Sequence, residues 1–448
     1  MSVATDSLRT DLANLLSPAQ VLTGADECAA CAVDGKTPEC VVFPETVEQT
    51  AAVLRYGSQH ELAVILRGNG TKVLTGNPPR RYDLALSLRR LQRVVHYEPA
   101  DLTVSVEAGM KFGALQNLVG QNGLWLPLDP RGGAEATMGG IVAANAAGPL
   151  RQAFGSPRDM VLGLRFATAD GKLVRTGGRV VKNVAGYDFC KLLTGSWGTL
   201  GAIVEVNLKL FPKPAERSTF TMCAGTLGIA RDLRRRILRS PIDPLRLVVL
   251  DAHAVALLSG PAQTPGVQLW IELGGSHRVI ERCLLELRQL TSAVGATLER
   301  REDAECVWES ISDLPAWLQP SYAGTTVLKS ALPLTASEEF LSRAEQESES
   351  EHIPLAGFAQ VGVGIAHLCA LQESSTIGMA GWVARLRQAA RELGGTLVLE
   401  HCPTGVKNSV DVWGACGDDV EVMRKLKSAW DPAGTLAPGR FAGFQVGN

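Results

Sequence analysis

The 448-residue sequence predicts a mixed α+β protein built in two large parts, and three observations carry that prediction. Residues 40–67 read as a strand, a helix and a second buried strand, since β-branched runs flank a stretch with helical spacing of apolar residues. Phe211-Pro212-Lys213-Pro214 is a proline-rich break, which no strand or helix runs through easily. Beyond it the chain alternates strands and helices with fewer glycine turns, and its length exceeds what one core holds.

Taken in order, residues 1–16 alternate polar and apolar side chains and carry Asp6, Arg9 and Asp11, which predicts a short amphipathic helix. The segment lacks the charged start and unbroken apolar centre of a secretory signal. Val41-Val42-Phe43 is a strand ended by Pro44; residues 47–60 are a helix, and Ala63-Val64-Ile65-Leu66 is a buried strand. Further strands are expected at 84–87, 94–97 and 102–106, then a helix over 111–121 stopped by Asn122-Gly123. In the second part, 245–250 and 267–273 are strands, and acid-rich 337–352 is expected as an exposed helix or loop. A last helix over 426–430 stops at Asp431-Pro432-Ala433-Gly434. The expected boundaries are 1–213, 214–400 and 401–448.

Composition narrows the function classes. Apolar content of 46% and charged content of 20% are those of an ordinary globular protein. A net charge of −2 gives no reason to expect nucleic acid as a partner. Ten scattered cysteines suit reduced thiols rather than a disulfide scaffold, and no uncharged apolar run reaches membrane-spanning length. The expectation is a soluble, cytoplasmic protein without a membrane span.

The chemistry sits in glycine-dense bends. In Arg67-Gly68-Asn69-Gly70-Thr71-Lys72, alternate glycines permit positive φ and let main-chain N–H groups converge on an anion. A tight turn with no ligand would read the same way. Asn69-Gly70-Thr71 also matches a glycosylation acceptor, set aside because nothing suggests secretion. A P-loop is excluded, because Ala30 stands where Gly35-Lys36-Thr37 would need the first glycine. Val73 stands where a Rossmann fingerprint needs its third glycine, which argues against a nicotinamide cofactor bound in the usual way. A second bend, Leu126-Pro127-Leu128-Asp129-Pro130, runs on to Thr137-Met138-Gly139-Gly140 and a helix of small residues through Asn145 and Gly148. Such residues admit a flat ring, or equally a closely packed strand. The third is Gly195-Ser196-Trp197-Gly198-Thr199-Leu200-Gly201, leading into a strand that contains Ile203.

As an ordered set over residues 40–212, these bends and the Lys182-Asn183-Val184-Ala185-Gly186-Tyr187-Asp188 segment resemble the FAD-linked oxidases of the vanillyl-alcohol oxidase (PCMH) fold. Residues 33–38 and the Lys182–Asp188 segment narrow the likeness to the FAD-binding E subunits of bacterial glycolate oxidases. The resemblance implies a PCMH-type FAD-binding domain of two sub-domains, and an α+β cap domain with an antiparallel sheet. It implies that residues 401–448 return to the FAD domain. Arg67, Gly68, Asn69, Gly70, Thr71, Lys72, Thr137, Met138, Gly139 and Gly140 would bind the pyrophosphate and flank the isoalloxazine. Pro127, Asp129, Asn145 and Gly148 would line the same groove. Gly198, Gly201 and Ile203 would reach the far end, with Ile203 meeting adenine through its backbone. Some relatives attach flavin through a histidine in the first loop; none stands there, so the FAD is expected to be non-covalent.

Oxidation of a 2-hydroxy acid needs a base for the hydroxyl proton and a cation for the carboxylate. Residues 360–367 and Glu400-His401-Cys402 resemble worn copies of the metal and base segments of D-2-hydroxyacid dehydrogenases in the same family. His367, Glu400 and the implied base His401 are kept, but Gln360 replaces the first histidine ligand, with Val363 and Ile365 beside it. Glutamine is a poor ligand for zinc-like metals, so no metal is expected. Cys28-Ala29-Ala30-Cys31 has redox spacing without a supporting βαβ context, and the cysteines show no ferredoxin-type cluster. The reading is therefore a FAD subunit working beside a catalytic FAD subunit and an iron–sulfur subunit, peripheral to the inner membrane through those partners. Its rivals are a stand-alone dehydrogenase and an assembly subunit with a vestigial flavin site.

Overall fold

The computed structural model describes residues 3–179, 187–259, 266–302, 304–314, 318, 321–372, 378–414 and 417–442. The chain divides into two compact units: Met1–Ala147, Ser156–Pro212 and Ala415–Asn448 form the first, Gly148–Gly155 and Lys213–Gly414 the second. The fold is α+β throughout.

The first unit holds β1 (Val21–Leu22), β2 (Cys40–Val42), β3 (Val64–Arg67), β4 (Leu84–Ser87), β5 (Val94–Glu98), β6 (Thr103–Glu107), β7 (Leu124–Trp125), β8 (Val161–Ala167), β9 (Leu173–Gly177), β10 (Ala202–Lys209) and β11 (Phe211–Pro212). One sheet runs β1-β2-β4-β3, with β4 parallel to both its neighbours. Both its faces are covered, which explains the unbroken apolar runs. Val42, Val64, Leu84 and Leu86 share a core with Leu54 of the Val47–Gln59 helix, while Val41, Ile65 and Ala85 pack with Cys28, Cys31 and Tyr82. Thr46 starts that helix by accepting the Gln49 N–H at 3.1 Å, satisfying one orphan donor of the first turn. The second sheet, β5-β6-β10-β8-β9, is antiparallel. The C-terminal segment joins the first sheet at β3: Val64 donates to Thr435 O at 2.7 Å, and Ala437 donates to Val64 O at 2.9 Å.

The second unit holds β12 (Glu216–Gly225), β13 (Arg246–Leu250), β14 (Val267–Gly275), β15 (Thr297–Arg301), β16 (Thr326–Ala331), β17 (Leu355–Gln360), β18 (Ile365–Ala370) and β19 (Thr396–His401). They form one antiparallel sheet in the order β15-β12-β14-β13-β17-β18-β16-β19. Leu247, Val249, Leu328 and Leu368 turn one face toward the helices Leu227–Arg239, His277–Ser292, Ser337–Ser350 and Met379–Glu392. Val248, Trp270, Phe358 and Cys369 belong to the other face.

Two sequence expectations change in detail. The small-residue helix is confined to Met138–Ala143, because Asn145 adopts φ 46° and breaks the repeat. The acid-rich stretch forms the Ser337–Ser350 helix but is only half exposed: Phe340, Leu341 and Ala344 are core residues, and Glu338 pairs with buried Arg234. Its apolar stripe at helical spacing was masked by the surrounding glutamates.

Asp251, just after β13, accepts the Ala254 N–H at 2.7 Å and the Gly357 N–H, so one buried carboxyl joins β13, β17 and the following helix. Burial pushes its pKa from 3.8 up to about 7, against the opposing pull of those main-chain donors. The folded chain keeps this proton to about pH 7, while the unfolded chain releases it near 3.8. Folding therefore takes up a proton in between, and this group's contribution to stability falls as pH rises through that window. Thermal midpoints measured from pH 4 to pH 7 should decline more steeply for the parent than for Asp251→Asn. Equal slopes would show that Asp251 does not titrate as described.

Candidate functional site

Three bends of the first unit lie against one another through short side-chain and main-chain contacts. In the first, Asn69 Nδ2 donates to Glu135 O at 3.1 Å and Oε2 at 3.0 Å, and Lys72 Nζ donates to Arg131 O, so residues 69–72 are tied to the stretch leading from Asp129 to Thr137. A Cβ on Gly68 would stand 2.0 Å from Thr137 Oγ1, so glycine is required for that approach. Met138 and Gly139 donate to Met110 O and Ala108 O at 2.9 and 2.8 Å, which fixes the second bend on the end of β6. The third bend is sewn to the second: Gly195 donates to Val142 O at 3.1 Å and Trp197 to Ala143 O at 2.8 Å. It also returns to the first, since a Cβ on Gly198 would lie 3.2 Å from the Leu66 side chain. Asn145 and Trp197 face this seam with φ of 46° and 54°, left-handed conformations seldom kept without a local reason.

Several donors around this ring lack acceptors. Among the described residues, the N–H groups of Asn69, Gly70, Thr71, Gly140 and Gly198 donate to no protein group. Arg67 Nη1 and Ser196 Oγ are buried without a hydrogen-bond partner, although Ser196 is only 4% exposed. A buried polar group left this way costs about 1–3 kcal/mol, so a set of donors on neighbouring bends suits a multiply charged oxygen ligand.

In the second unit, Phe358, His367 and Lys329 form a row across β17, β18 and β16, because His367 pairs with Phe358 on one side and with Lys329 on the other. The Phe358 ring stacks on the His367 imidazole with centroids 4.7 Å apart. In β19 the register passes from Val327 opposite His401 to Leu328 opposite Leu399, leaving Glu400 as the extra residue of a bulge. Glu400 Oε1 lies 3.2 Å from Lys329 Nζ, and Oε2 lies 3.6 Å from His367 Nε2. These side chains are 11–25% exposed, so their charges are only partly screened. Gln360 is buried on the same face, two residues along β17 from Phe358. Among the described residues, no three His, Cys, Asp or Glu side chains gather to hold a metal ion. An ammonium instead stands against the carboxylate.

The family model described as FAD binding domain matches residues 38–177, and the one described as FAD linked oxidases, C-terminal domain, matches residues 213–441. The chain belongs to the FAD-linked oxidases. This oxidase is 28% identical over 423 residues to glycolate oxidase subunit GlcD of Bacillus subtilis (strain 168), covering 90% of this chain and 89% of that protein. It is also 28% identical to a probable mitochondrial D-lactate dehydrogenase of Danio rerio, over 90% of this chain and 84% of that one. The D-2-hydroxyglutarate dehydrogenase of Xanthomonas citri pv. viticola (strain LMG 965 / NCPPB 2475 / ICMP 3867 / CFBP 7660) is 27% identical, over 90% and 89%. In fold it matches p-cresol methylhydroxylase with substrate bound at TM-score 0.79, with 16% identity over 98% of this chain and 97% of that one. Alkyldihydroxyacetonephosphate synthase matches at TM-score 0.74, with 16% identity over 96% and 83%. The cofactor of this FAD-linked oxidoreductase is FAD, and the unpaired donors of the bends fit its diphosphate.

The oxidase distributes the sequence-expected residues unevenly. Arg67–Lys72, Thr137–Gly140, Asn145 and Gly198 lie on the ring of bends described above. Pro127 and Asp129 stand in its second limb, where Gln116 brackets Leu126 by bonds of 3.1 and 2.9 Å. Gly201 is closely packed, since its Cβ would lie 3.0 Å from both Ala167 O and Phe166 Cδ2. Ile203 pairs with Phe166 in the β10–β8 ladder, next to a bulge. Gly148 groups with the second unit. Of the Lys182–Asp188 segment, residues 182–186 lie outside the described residues; Tyr187 is exposed, and Asp188 caps the Phe189–Leu193 helix by accepting the Lys191 N–H at 3.2 Å. Cys28 and Cys31 are free and buried, and burial followed by the neighbouring Cys31 pushes the Cys28 thiol up, away from reactive thiolate character. Lys329 was missed from sequence. Its signal was slight: one lysine among mostly buried neighbours in the strand Thr326-Val327-Leu328-Lys329-Ser330-Ala331.

Proposed function

We propose that this FAD-linked oxidase oxidises a small 2-hydroxy acid, glycolate to glyoxylate, as the non-covalent FAD-bearing subunit of a glycolate oxidase-like complex. The observation that supports the substrate class most is the Lys329–Glu400–His367 cluster. Lys329 binds the substrate carboxylate, exchanging its contact with Glu400 for one with the ligand. Glu400 then remains as partner for His367 and holds the imidazole ready to take or share the hydroxyl proton, with His401 the second base candidate. Bound FAD supplies two-electron oxidising chemistry. Asn69, Gly70, Thr71, Gly140 and Gly198 hold its diphosphate by main-chain N–H groups, with Arg67 and Ser196 adding side-chain donors.

The partners in this reading are a catalytic FAD subunit and an iron–sulfur subunit, which carry electrons onward and bring the cytoplasmic complex to the inner membrane. Gln360 supports a subunit role, because it replaces the histidine expected of a metal-dependent site. The presence of dehydrogenases among the relatives over 90% of the chain supports a second reading, a stand-alone D-2-hydroxyacid dehydrogenase. Anaerobic mixing of the flavin-loaded chain with glycolate or D-lactate separates them. Bleaching of the visible flavin band only after partner subunits are added supports the complex. Bleaching by the chain alone supports the stand-alone enzyme, and no bleaching in either case removes both.

A further inference from the structure

Two cations near the end of the described chain, Arg440 buried and Lys427 largely so, hold main-chain carbonyls of the third bend and of the residues just after the first. Lys427 Nζ, on a side chain 12% exposed, donates to Thr199 O at 2.7 Å and to Leu436 O at 2.8 Å, and also contacts the Asp431 carboxylate. Asp431 is itself fixed by the N–H groups of Thr435 at 2.9 Å and Leu436 at 2.8 Å. Arg440, 7% exposed, donates from Nη2 to Thr75 O at 2.6 Å and Val73 O at 2.5 Å, and its Nη1 lies 3.9 Å from Asp34 Oδ2. Thr199 belongs to the third bend, and Val73 directly follows the first. Between these anchors, Trp430 stacks on Phe166 at 5.9 Å and meets Phe189 edge-on at 5.4 Å. Phe166 is the ring against which Gly201 packs.

Filling these positions with apolar side chains would bury the same surface at lower desolvation cost, and buried ion pairs are weak stabilisers. Their use is to specify where the bonded groups sit. We propose that Lys427 and Arg440 are positioning residues for the dinucleotide, and that the segment joining them is a clasp that sets the spacing between the first and third bends. The proposal rests on the assignment of those bends to the FAD diphosphate.

The test is titration of FAD into the full-length chain stripped of flavin, read by quenching of flavin fluorescence well below each variant's melting temperature. Lys427→Met and Arg440→Met should each weaken FAD binding about tenfold, and the double variant little further, since one clasp fails once. Arg440→Lys should recover most of the affinity lost in Arg440→Met, because a cation again reaches the carbonyls. Affinity within about twofold of the parent in both single variants, whatever their melting temperatures, would reduce the segment to a structural tail and overturn the proposal. So would Arg440→Lys binding no better than Arg440→Met. If the double variant does not fold, the single variants decide. Gly68→Val keeps the two claims apart: if it loses FAD while Lys427→Met and Arg440→Met retain it, only the clasp fails. If Gly68→Val also retains FAD, the assignment of the bends fails.

Discussion

Replacing Gly68 by valine will strip the protein of FAD. The new Cβ would stand 2.0 Å from Thr137 Oγ1 and 3.0 Å from Thr137 Cβ and Cγ2. Thr137 is 3% exposed and β-branched, so it has no free rotamer into which to retreat. The first and second bends must separate, and the amides of Asn69, Gly70 and Thr71 lose their alignment with that of Gly140. An affinity loss of about 100-fold, equivalent to ~2.7 kcal/mol, is expected in FAD titration of the flavin-free chain. Gly120→Ala is the matched control, since nothing lies within 4 Å of its Cβ and the site ends a helix. Normal FAD binding by Gly68→Val would show that the contact of these bends is irrelevant to the cofactor.

Lys329→Met should leave FAD bound and lower kcat/KM for the 2-hydroxy acid roughly 100-fold, mainly through KM, as expected when a charged hydrogen bond to substrate is lost. The methionine fills the space of the lysine stem but leaves Glu400 facing His367 and the incoming carboxylate with no compensating cation. Two like charges in a site only 11–25% exposed repel strongly, which makes removal of the cation costlier than removal of the pair. Glu400→Gln should therefore be milder than Lys329→Met in KM. Steady-state kinetics in the complex that shows turnover would check both, and an unchanged kcat/KM in Lys329→Met would remove the lysine from the site.

The local parts of this fold were readable because they follow local rules. The β2–helix–β3 segment announced itself through apolar runs and helical spacing, and the three bends through clustered glycines, several with positive φ or close approaches that disfavour a side chain. What escaped was non-local. Lys329 acquires its role from a bulge in another strand, which turns Glu400 toward it across the sheet. No spacing within 326–331 encodes that meeting. The grouping of Gly148–Gly155 with the second unit is likewise a property of packing, as is the hold of Lys427 on Thr199, far apart in the chain. Gly201 adds a further case: a Cβ there would stand 3.0 Å from both Ala167 O and the Phe166 ring, a packing constraint that no spacing in the chain reveals.

In the proposed flavin site, main-chain donors from separate bends of the first unit close on the FAD diphosphate. Amide hydrogen exchange of the flavin-free and FAD-loaded chain measures it residue by residue. FAD should slow exchange at Asn69, Gly70, Thr71, Gly140 and Gly198 together, with little change on the Glu216–Gly225 and Val267–Gly275 strands. Unchanged exchange at those five amides while FAD is bound would contradict it.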